Sequence, residues 1–235
     1  MPLFSPLDLV ALAWFLATWI IYSITLSLTE RRRRGLNSEM NRYRDVWMFQ
    51  MLARDMRMVD AQIVAALQNG TAFFASTSLI AVGGALTLLR SSDVILEVVA
   101  ALPFGVKMTP VQWEAKTMGL AIIFVYAFFK FGWAYRLFNY VAIMVGASPP
   151  AKDKDTPEAK AHAERVGRLC EVAGKHFNRG QRAFFFALGY LGWFISPWLL
   201  IVTSVAVAVV LWRRQFASDS RRALFDEENS ESTQE

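Results

Sequence analysis

Four long stretches of this chain carry few or no charged residues. The segments 9–29, 61–89 and 183–212 contain no Asp, Glu, Lys or Arg, and 117–140 contains only two basic residues. About 20 apolar residues form a helix long enough to cross a bilayer. Only 19% of the 235 residues are charged, below the share of about a quarter usual in soluble domains. These features predict an integral membrane protein.

We predict an all-α fold, a four-helix transmembrane bundle with a long second helix extended into the cytoplasm and a cytoplasmic helix between spans three and four. The second helix is expected to begin near Glu39, because 41–67 lacks Gly and Pro. The integral membrane domain is 1–214, with spans at about 8–29, 68–89, 117–140 and 184–212, cytoplasmic segments 30–67 and 146–183, and an external segment 90–116. The segment 98–106 is expected at the interface, and 215–235 as a disordered acidic tail.

One apolar stripe on the second helix requires a packing partner. Its members recur every three or four residues: Val46, Phe49, Leu52, Met56, Val59 and Ile63. The natural partner is the helix beginning at Pro157, whose apolar face holds Val166, Leu169, Ala173 and Phe177. Within the second span, small and hydroxyl residues between Thr71 and Gly84 indicate that this helix faces protein.

The distribution of basic residues predicts the orientation. With four spans, 16 Lys and Arg lie on one side and 7 on the other. The positive-inside rule then places both termini outside a bacterial inner membrane. The fourth span is expected to kink at Ser196 and Pro197. The alternative is a hairpin folded at Pro197, which returns the C-terminus to the cytoplasm. The basic charge favours anionic lipid headgroups at the cytoplasmic face as partners rather than nucleic acid, because no recognition motif is present.

Catalytic patterns are scarce. His162 and His176 lack a metal-ligand spacing and are predicted to be exposed on one helix face, and Cys170 is predicted to be an inert buried thiol. There is no P-loop, nucleophile elbow or dinucleotide fingerprint. We therefore predict no catalytic residue, no metal and no cofactor, and an enzyme is the less favoured class.

A first polar cluster precedes the second span. It contains Arg54, Asp55, Arg57, Asp60 and Gln62. On a continuous helix, Asp60 lies three residues after Arg57, so these two side chains are expected to pair. The cluster is interpreted as an ion-pair network, with an anion site at the inner mouth as the alternative.

Two further basic clusters accompany the later spans. Lys130 lies inside the third span with Arg136 and Asn139. A charge at membrane depth needs a partner, unless Lys130 snorkels to the interface. The candidates outside that helix are Asp55, Asp60, Glu114 and backbone carbonyls in the bundle. Arg136 is expected in an aromatic belt. Arg182 precedes a run of Phe residues and is interpreted as marking the cytoplasmic boundary of the fourth span.

Several of these residues also resemble a bacterial multi-pass family catalogued as domain of unknown function five-nine-nine. The similarity covers roughly 10–215 and is most specific in the motif that runs from Arg57 to Gln62 and on through Asn69 to Thr77. Further matches are Asn41, Trp47, Tyr126, Phe129, Lys130, Phe131, Trp133, Arg136, Asn139, Tyr140, Asn178, Gly180, Arg182, Phe184 and Phe185. The resemblance implies a four-helix inner-membrane protein and implies no activity.

Three functional hypotheses remain. The favoured one is an accessory, scaffold or interaction protein whose cytoplasmic helices bind a membrane-protein partner or a second copy. The alternative is an oligomeric transporter or channel for an anionic solute that uses Lys130, because four spans are few for a monomeric transporter. The third, a lipid-modifying enzyme, lacks a nucleophile, a metal site or a carboxylate pair at membrane depth.

Overall fold

The computed structural model describes residues 3–32, 35–90, 96 and 108–217, and this part of the chain is all-α. Its six α-helices are α1 (Pro6–Arg32), α2 (Leu36–Leu52), α3 (Met58–Arg90), α4 (Pro110–Gly146), α5 (Pro157–Tyr190) and α6 (Pro197–Phe216). Two short 3₁₀ helices, Ala151–Asp153 and Leu191–Phe194, precede α5 and α6. The segment predicted at the interface, 98–106, and the predicted tail beyond 217 lie outside the described residues.

Four of the described helices are long and apolar enough to cross a membrane. They are Pro6–Thr29 within α1, and α3, α4 and α6 over their whole lengths. The predicted all-α class with four candidate spans is therefore confirmed. The helix that contains the predicted third span begins at Pro110, because Thr109 and Gln112 form a capping box in which each side chain accepts from the other's backbone N–H.

The predicted long second helix is interrupted. α2 ends at Leu52 and α3 begins at Met58. In one straight helix Trp47 and Asp60 would lie about 20 Å apart, yet the indole Nε1 donates to Asp60 Oδ1 at 2.7 Å. The prediction of a continuous helix was wrong because side-chain contacts across the turn outweigh the good helix propensity of these residues.

The helix predicted over 184–212 is also two helices. α5 ends at Tyr190, and α6 restarts at Pro197 with Ser196 Oγ capping the backbone N–H of Leu199. Thr203 Oγ1 then donates to the Gly189 carbonyl at 2.7 Å. A Cβ on Gly192 would lie 2.8 Å from the same hydroxyl, so glycine permits this close approach. The chain therefore folds back in a hairpin at the Ser196–Pro197 position.

The chain divides into two compact units, 1–40 with 188–235, and 41–187. In the first unit, α1 and α6 run in the same direction. Trp193 Nε1 donates to Asp8 Oδ1 at 2.8 Å near the start of α1, whereas the Tyr22 and Trp212 rings meet further along at 6.5 Å. Gly35, beyond the end of α1, lies against Phe216 at the end of α6.

In the second unit, α2, α3, α4 and α5 share one core. Its buried members are Met48, Met51, Leu52, Val64, Leu137, Phe138, Val141, Val145, Ala159, Ala163, Val166, Cys170 and Ala173. The predicted apolar face of α5 thus packs against α2. Most of the predicted stripe does not take part: Val46, Phe49, Met56, Val59 and Ile63 stay exposed. The break at 53–57 divides the stripe between α2 and α3, so its members do not share one helix face.

α3 packs against α4 along a seam of small side chains. Val64, Thr71, Ser78 and Ala85 are buried and seven residues apart, the spacing of a left-handed helix pair. The buried hydroxyls of Thr71 and Ser78 donate to carbonyls of their own helix at 2.7 and 2.8 Å. The predicted protein-facing side of α3 therefore exists, although Gly83 and Gly84 lie on the exposed side.

Candidate functional site

Asp60 is the centre of the first polar cluster. It lies in the first turn of α3 and is fully buried. Its Oδ1 accepts from Trp47 Nε1 at 2.7 Å and from Arg54 Nη1 at 2.5 Å. Its Oδ2 is buried and has no hydrogen-bond partner among the described residues. The carboxylate therefore holds α2, the turn and α3 together through one oxygen.

Arg57 does not form the predicted pair with Asp60. It lies at the start of α3, where its carbonyl accepts from the backbone N–H of Ala61 at 3.0 Å. Its guanidinium donates instead to the carbonyls of Ser148 at 2.8 Å and of Pro149. These carbonyls belong to the segment that follows the end of α4. Arg57 thus fastens the turn to the end of α4.

The other two members of this cluster do not join the network. Asp55 and Gln62 are exposed, on the turn and on α3 respectively. His162, predicted to be an exposed helix-face residue, is partly buried, and its Nε2 lies 2.9 Å from the carbonyl of Met144 at the end of α4. The arrangement favours a structural network over an open anion mouth, because the guanidinium of Arg57 is occupied by backbone carbonyls.

Lys130 lies on α4 without any of its predicted acidic partners. Its Nζ lies 5.1 Å from the centroid of the Tyr126 ring, one turn earlier. Arg136 is exposed, donates from Nε to the Tyr140 hydroxyl at 2.7 Å and lies beside the Trp133 ring. Asn139 links two helices, because its Oδ1 accepts from Gln68 Nε2 of α3 at 2.6 Å.

His176 is the residue near Lys130 that sequence reasoning missed. It was predicted to be exposed, but its Nδ1 is buried and has no hydrogen-bond partner among the described residues. Its ring lies 6.4 Å from that of Trp133. Burial first, and then the positive charges of Lys130 and Arg179, lower the pKa of His176 below its ordinary value. The available signal was the spacing, since His176 lies three residues beyond Ala173 on the core face of α5.

Glycines on α5 mark the closest contacts with its neighbours. A Cβ on Gly174 would lie 2.7 Å from Arg44 Nη1, and one on Gly180 would lie 2.7 Å from the Phe131 ring. Arg44 also donates to Asn41 Oδ1 at 2.5 Å. Arg182 is partly buried on the same helix. α5 therefore packs closely against both α2 and α4.

Aromatic rings fill the space between α3, α4 and α5. Phe74 stacks on Phe131 at 5.4 Å between centroids, and both meet Phe177 at 5.6 Å. Phe184 connects this group to Phe124 at 5.5 Å. A hydrophilic pathway through this unit would have to displace these rings.

Within the described ranges, no group of three or more His, Cys, Asp or Glu side chains is placed to hold a metal ion. Cys170 is fully buried as predicted. Burial raises the pKa of its thiol, which keeps it protonated and unreactive at neutral pH.

Comparison with known proteins gives a family match. No curated protein and no solved structure matches the chain. The family described as "Protein of unknown function, DUF599" matches residues 10–220, which is most of the chain. The match includes Arg54–Gln62, Lys130–Asn139 and α5, and it covers three candidate spans in full and the first from residue 10 onward. The chain therefore belongs to this family.

Proposed function

We propose that the protein is an integral-membrane scaffold that associates with a second copy of itself through the outer face of α3. This face comprises Gln62, Ala66, Asn69, Phe73, Ser76, Ile80, Gly83 and Thr87. Every one of these residues is exposed, and they recur at alternating steps of four and three. The observation that supports this proposal is the exposure of the outer face. This face lies on the opposite side of α3 from the seam that packs against α4.

Lipid is an unfavourable environment for such a face. The middle of α3 lies in hydrocarbon, where a hydroxyl side chain such as that of Ser76 has no water to bond, and interfaces between membrane helices are enriched in Ser, Thr and Gly. Gln62 and Asn69 lie nearer the cytoplasmic headgroups, where their carboxamides can bond a second chain. A Cβ added to Gly83, which lies on this face, would meet nothing within 4 Å. A neighbouring helix can therefore approach closely along this side.

A second α3 fits this face because its polar groups are self-complementary. A carboxamide carries both donors and an acceptor, so Asn69 and Gln62 can each bond an identical side chain across a twofold axis. Alternating steps of four and three also match the repeat of a left-handed helix pair. The exposed apolar side chains of Val46, Phe49 and Met56 add surface for further protein contacts near the start of α3.

Cysteine cross-linking tests the self-association. In a Cys170→Ala background, we expect Phe73→Cys and Ile80→Cys to give disulfide dimers in membranes. Leu79→Cys and Leu86→Cys serve as matched controls, because both side chains are exposed on α3 but lie about 90° from the outer face. Asn69→Leu should weaken the dimer about tenfold although it makes the helix more apolar, as expected for loss of an interhelical hydrogen bond.

Equal cross-linking at all four positions would indicate random collision and would contradict the proposal. A dimer unaffected by Asn69→Leu and absent from the Phe73→Cys and Ile80→Cys variants would place the contact on another surface.

The transporter hypothesis receives less support. It needs a hydrophilic route past Lys130, whereas the rings of Phe74, Phe131 and Phe177 occupy the space between α3, α4 and α5. Lys130 also lies over a ring of its own helix rather than opposite an acidic gate residue. An inner-membrane location is proposed because bacterial outer-membrane spans are β-barrels rather than helices.

We infer a topology with the N-terminus outside and residue 217 inside. The parallel course of α1 and α6 supports it, because Gly35 and Phe216 lie at the same end of the first unit. With this arrangement 20 Lys and Arg lie on the inner side and 3 on the outer side. This asymmetry is stronger than that of the four-span arrangement, as the positive-inside rule favours.

Reporter fusions test this topology. A green fluorescent protein fused after Ala217 should fluoresce, and alkaline phosphatase fused there should be inactive, because the fusion point is cytoplasmic. A fusion after Asp153 is the control, since that loop is cytoplasmic in both arrangements. Active phosphatase at 217 with an inactive control would instead favour a C-terminus outside.

A further inference from the structure

Three basic side chains from α4 and α5 converge near the start of the aromatic interior. Lys130 and Trp133 are one turn apart on α4, and His176 and Arg179 are one turn apart on α5. The Trp133 and His176 rings are 6.4 Å apart, and the Phe131 ring lies directly against Gly180. We call Lys130, His176 and Arg179 the α4–α5 basic cluster.

The α4–α5 basic cluster concentrates positive charge. Among the described residues, no carboxylate forms an ion pair with Lys130 or Arg179, whereas Lys175 and Arg168 on the same helix pair with Glu171 and Glu164. Holding two cations beside an imidazole without an acid is unfavourable, and the more so near a membrane. Burial, and after it the charges of Lys130 and Arg179, lower the pKa of His176, so this imidazole adds no compensating negative charge. An anion would relieve this repulsion.

The position of the cluster points to the type of anion. Lys130 lies 20 residues after Pro110, about 30 Å along the axis of α4, which is the thickness of the hydrocarbon core. Trp133, Tyr135 and Tyr140 follow it and are all exposed, as expected for residues at the level of the headgroups. In the proposed topology this level is the cytoplasmic surface, where anionic lipids concentrate.

We propose that the α4–α5 basic cluster binds an anionic phosphate group, supplied by the headgroup of an anionic phospholipid or by a soluble phosphate ester. Lys130 and Arg179 supply the charge, and Arg179 can offer two parallel N–H donors to phosphate oxygens. The exposed rings of Phe129 and Tyr126 beside Lys130 suit the glycerol and upper acyl regions of a lipid.

The experiment uses the full-length protein and two phosphate probes. One arm measures, by native mass spectrometry, the retention of phosphatidylglycerol from nanodiscs that also contain phosphatidylcholine. The other arm measures binding of glycerol phosphate to the protein in a neutral detergent. Lys130→Met and Arg179→Met should each lower the affinity for the bound phosphate compound about tenfold, the size of one charge-assisted hydrogen bond.

Arg168→Met is the matched control. It removes one positive charge from α5 at an exposed position that is paired with Glu164. Lys130→Arg should retain binding, which separates the loss of charge from a folding defect. Loss in the first arm identifies a lipid headgroup, and loss in the second arm a soluble ester. If Lys130→Met, Arg179→Met and Arg168→Met bind both probes as the unaltered protein does, the site is overturned. Both arms measure lipid or ester binding and leave the dimer test unaffected.

Discussion

Gly180→Val is expected to lower the unfolding temperature by about 5–10 °C, because the new side chain overlaps the ring of Phe131. A Cβ at position 180 would lie 2.7 Å from Cε1, 2.8 Å from Cδ1 and 2.9 Å from Cζ of that ring. Phe131 is fully buried and is enclosed by Phe74 and Phe177. The ring therefore cannot move aside, and α5 would have to separate from α4. Thermal unfolding in detergent, followed by circular dichroism, measures the change.

Gly132→Ala is the matched control for this substitution. It lies next to Phe131 on α4, and an added Cβ there would meet nothing within 4 Å. We expect it to be neutral or to stabilise the helix by up to about 1 kcal/mol. Phe131→Leu should reduce the cost of Gly180→Ala in a double-mutant cycle, because it removes the atoms that clash. If the two glycine variants behave alike, close packing at Gly180 is not what limits stability.

The candidate spans were predictable because hydropathy and helix length are local properties. The uncharged run 9–29 falls within α1, and 61–89 within α3. The two helix interruptions, at 53–57 and at Ser196–Pro197, were harder to predict from the sequence. Ser196 and Pro197 marked a bend, but the reversal of direction depends on contacts of Gly189 and Gly192 with α6. Residues 53–57 contain neither Gly nor Pro, and the turn is stabilised by groups distant in the chain, such as the carbonyl of Ser148.

In the candidate site, too, local features were predictable and contacts between distant residues were not. Arg54, Asp60 and Lys130 were singled out correctly as polar residues that need an explanation, because charge near an apolar run is visible in the sequence. The partners of these residues were not predicted correctly, because Arg57 was paired with Asp60 on the assumption of a continuous helix. His176 was missed because its environment is created by Lys130 and Trp133, which are over 40 residues away.

Arg54→Met is expected to destabilise the protein more than Asp60→Leu, although both break the same ion pair. Removal of Arg54 leaves the fully buried carboxylate of Asp60 without its cation, which costs about 3–5 kcal/mol. Removal of Asp60 leaves a guanidinium whose side chain is 42% exposed and can be hydrated, so this loss is smaller, about 1–3 kcal/mol, chiefly from the unpaired indole of Trp47. Equilibrium unfolding in detergent, with the free energy compared at one detergent concentration, measures both.

The double variant Arg54→Met with Asp60→Leu distinguishes this account from a simple count of lost contacts. Because it removes the buried charge together with its partner, it should recover most of the stability lost in Arg54→Met. Asp55→Asn is the control, since this neighbouring carboxylate is exposed and should change stability by less than about 0.5 kcal/mol. Equal costs for Arg54→Met and Asp60→Leu, with additive losses in the double variant, would show that burial of the Asp60 charge does not govern the turn between α2 and α3.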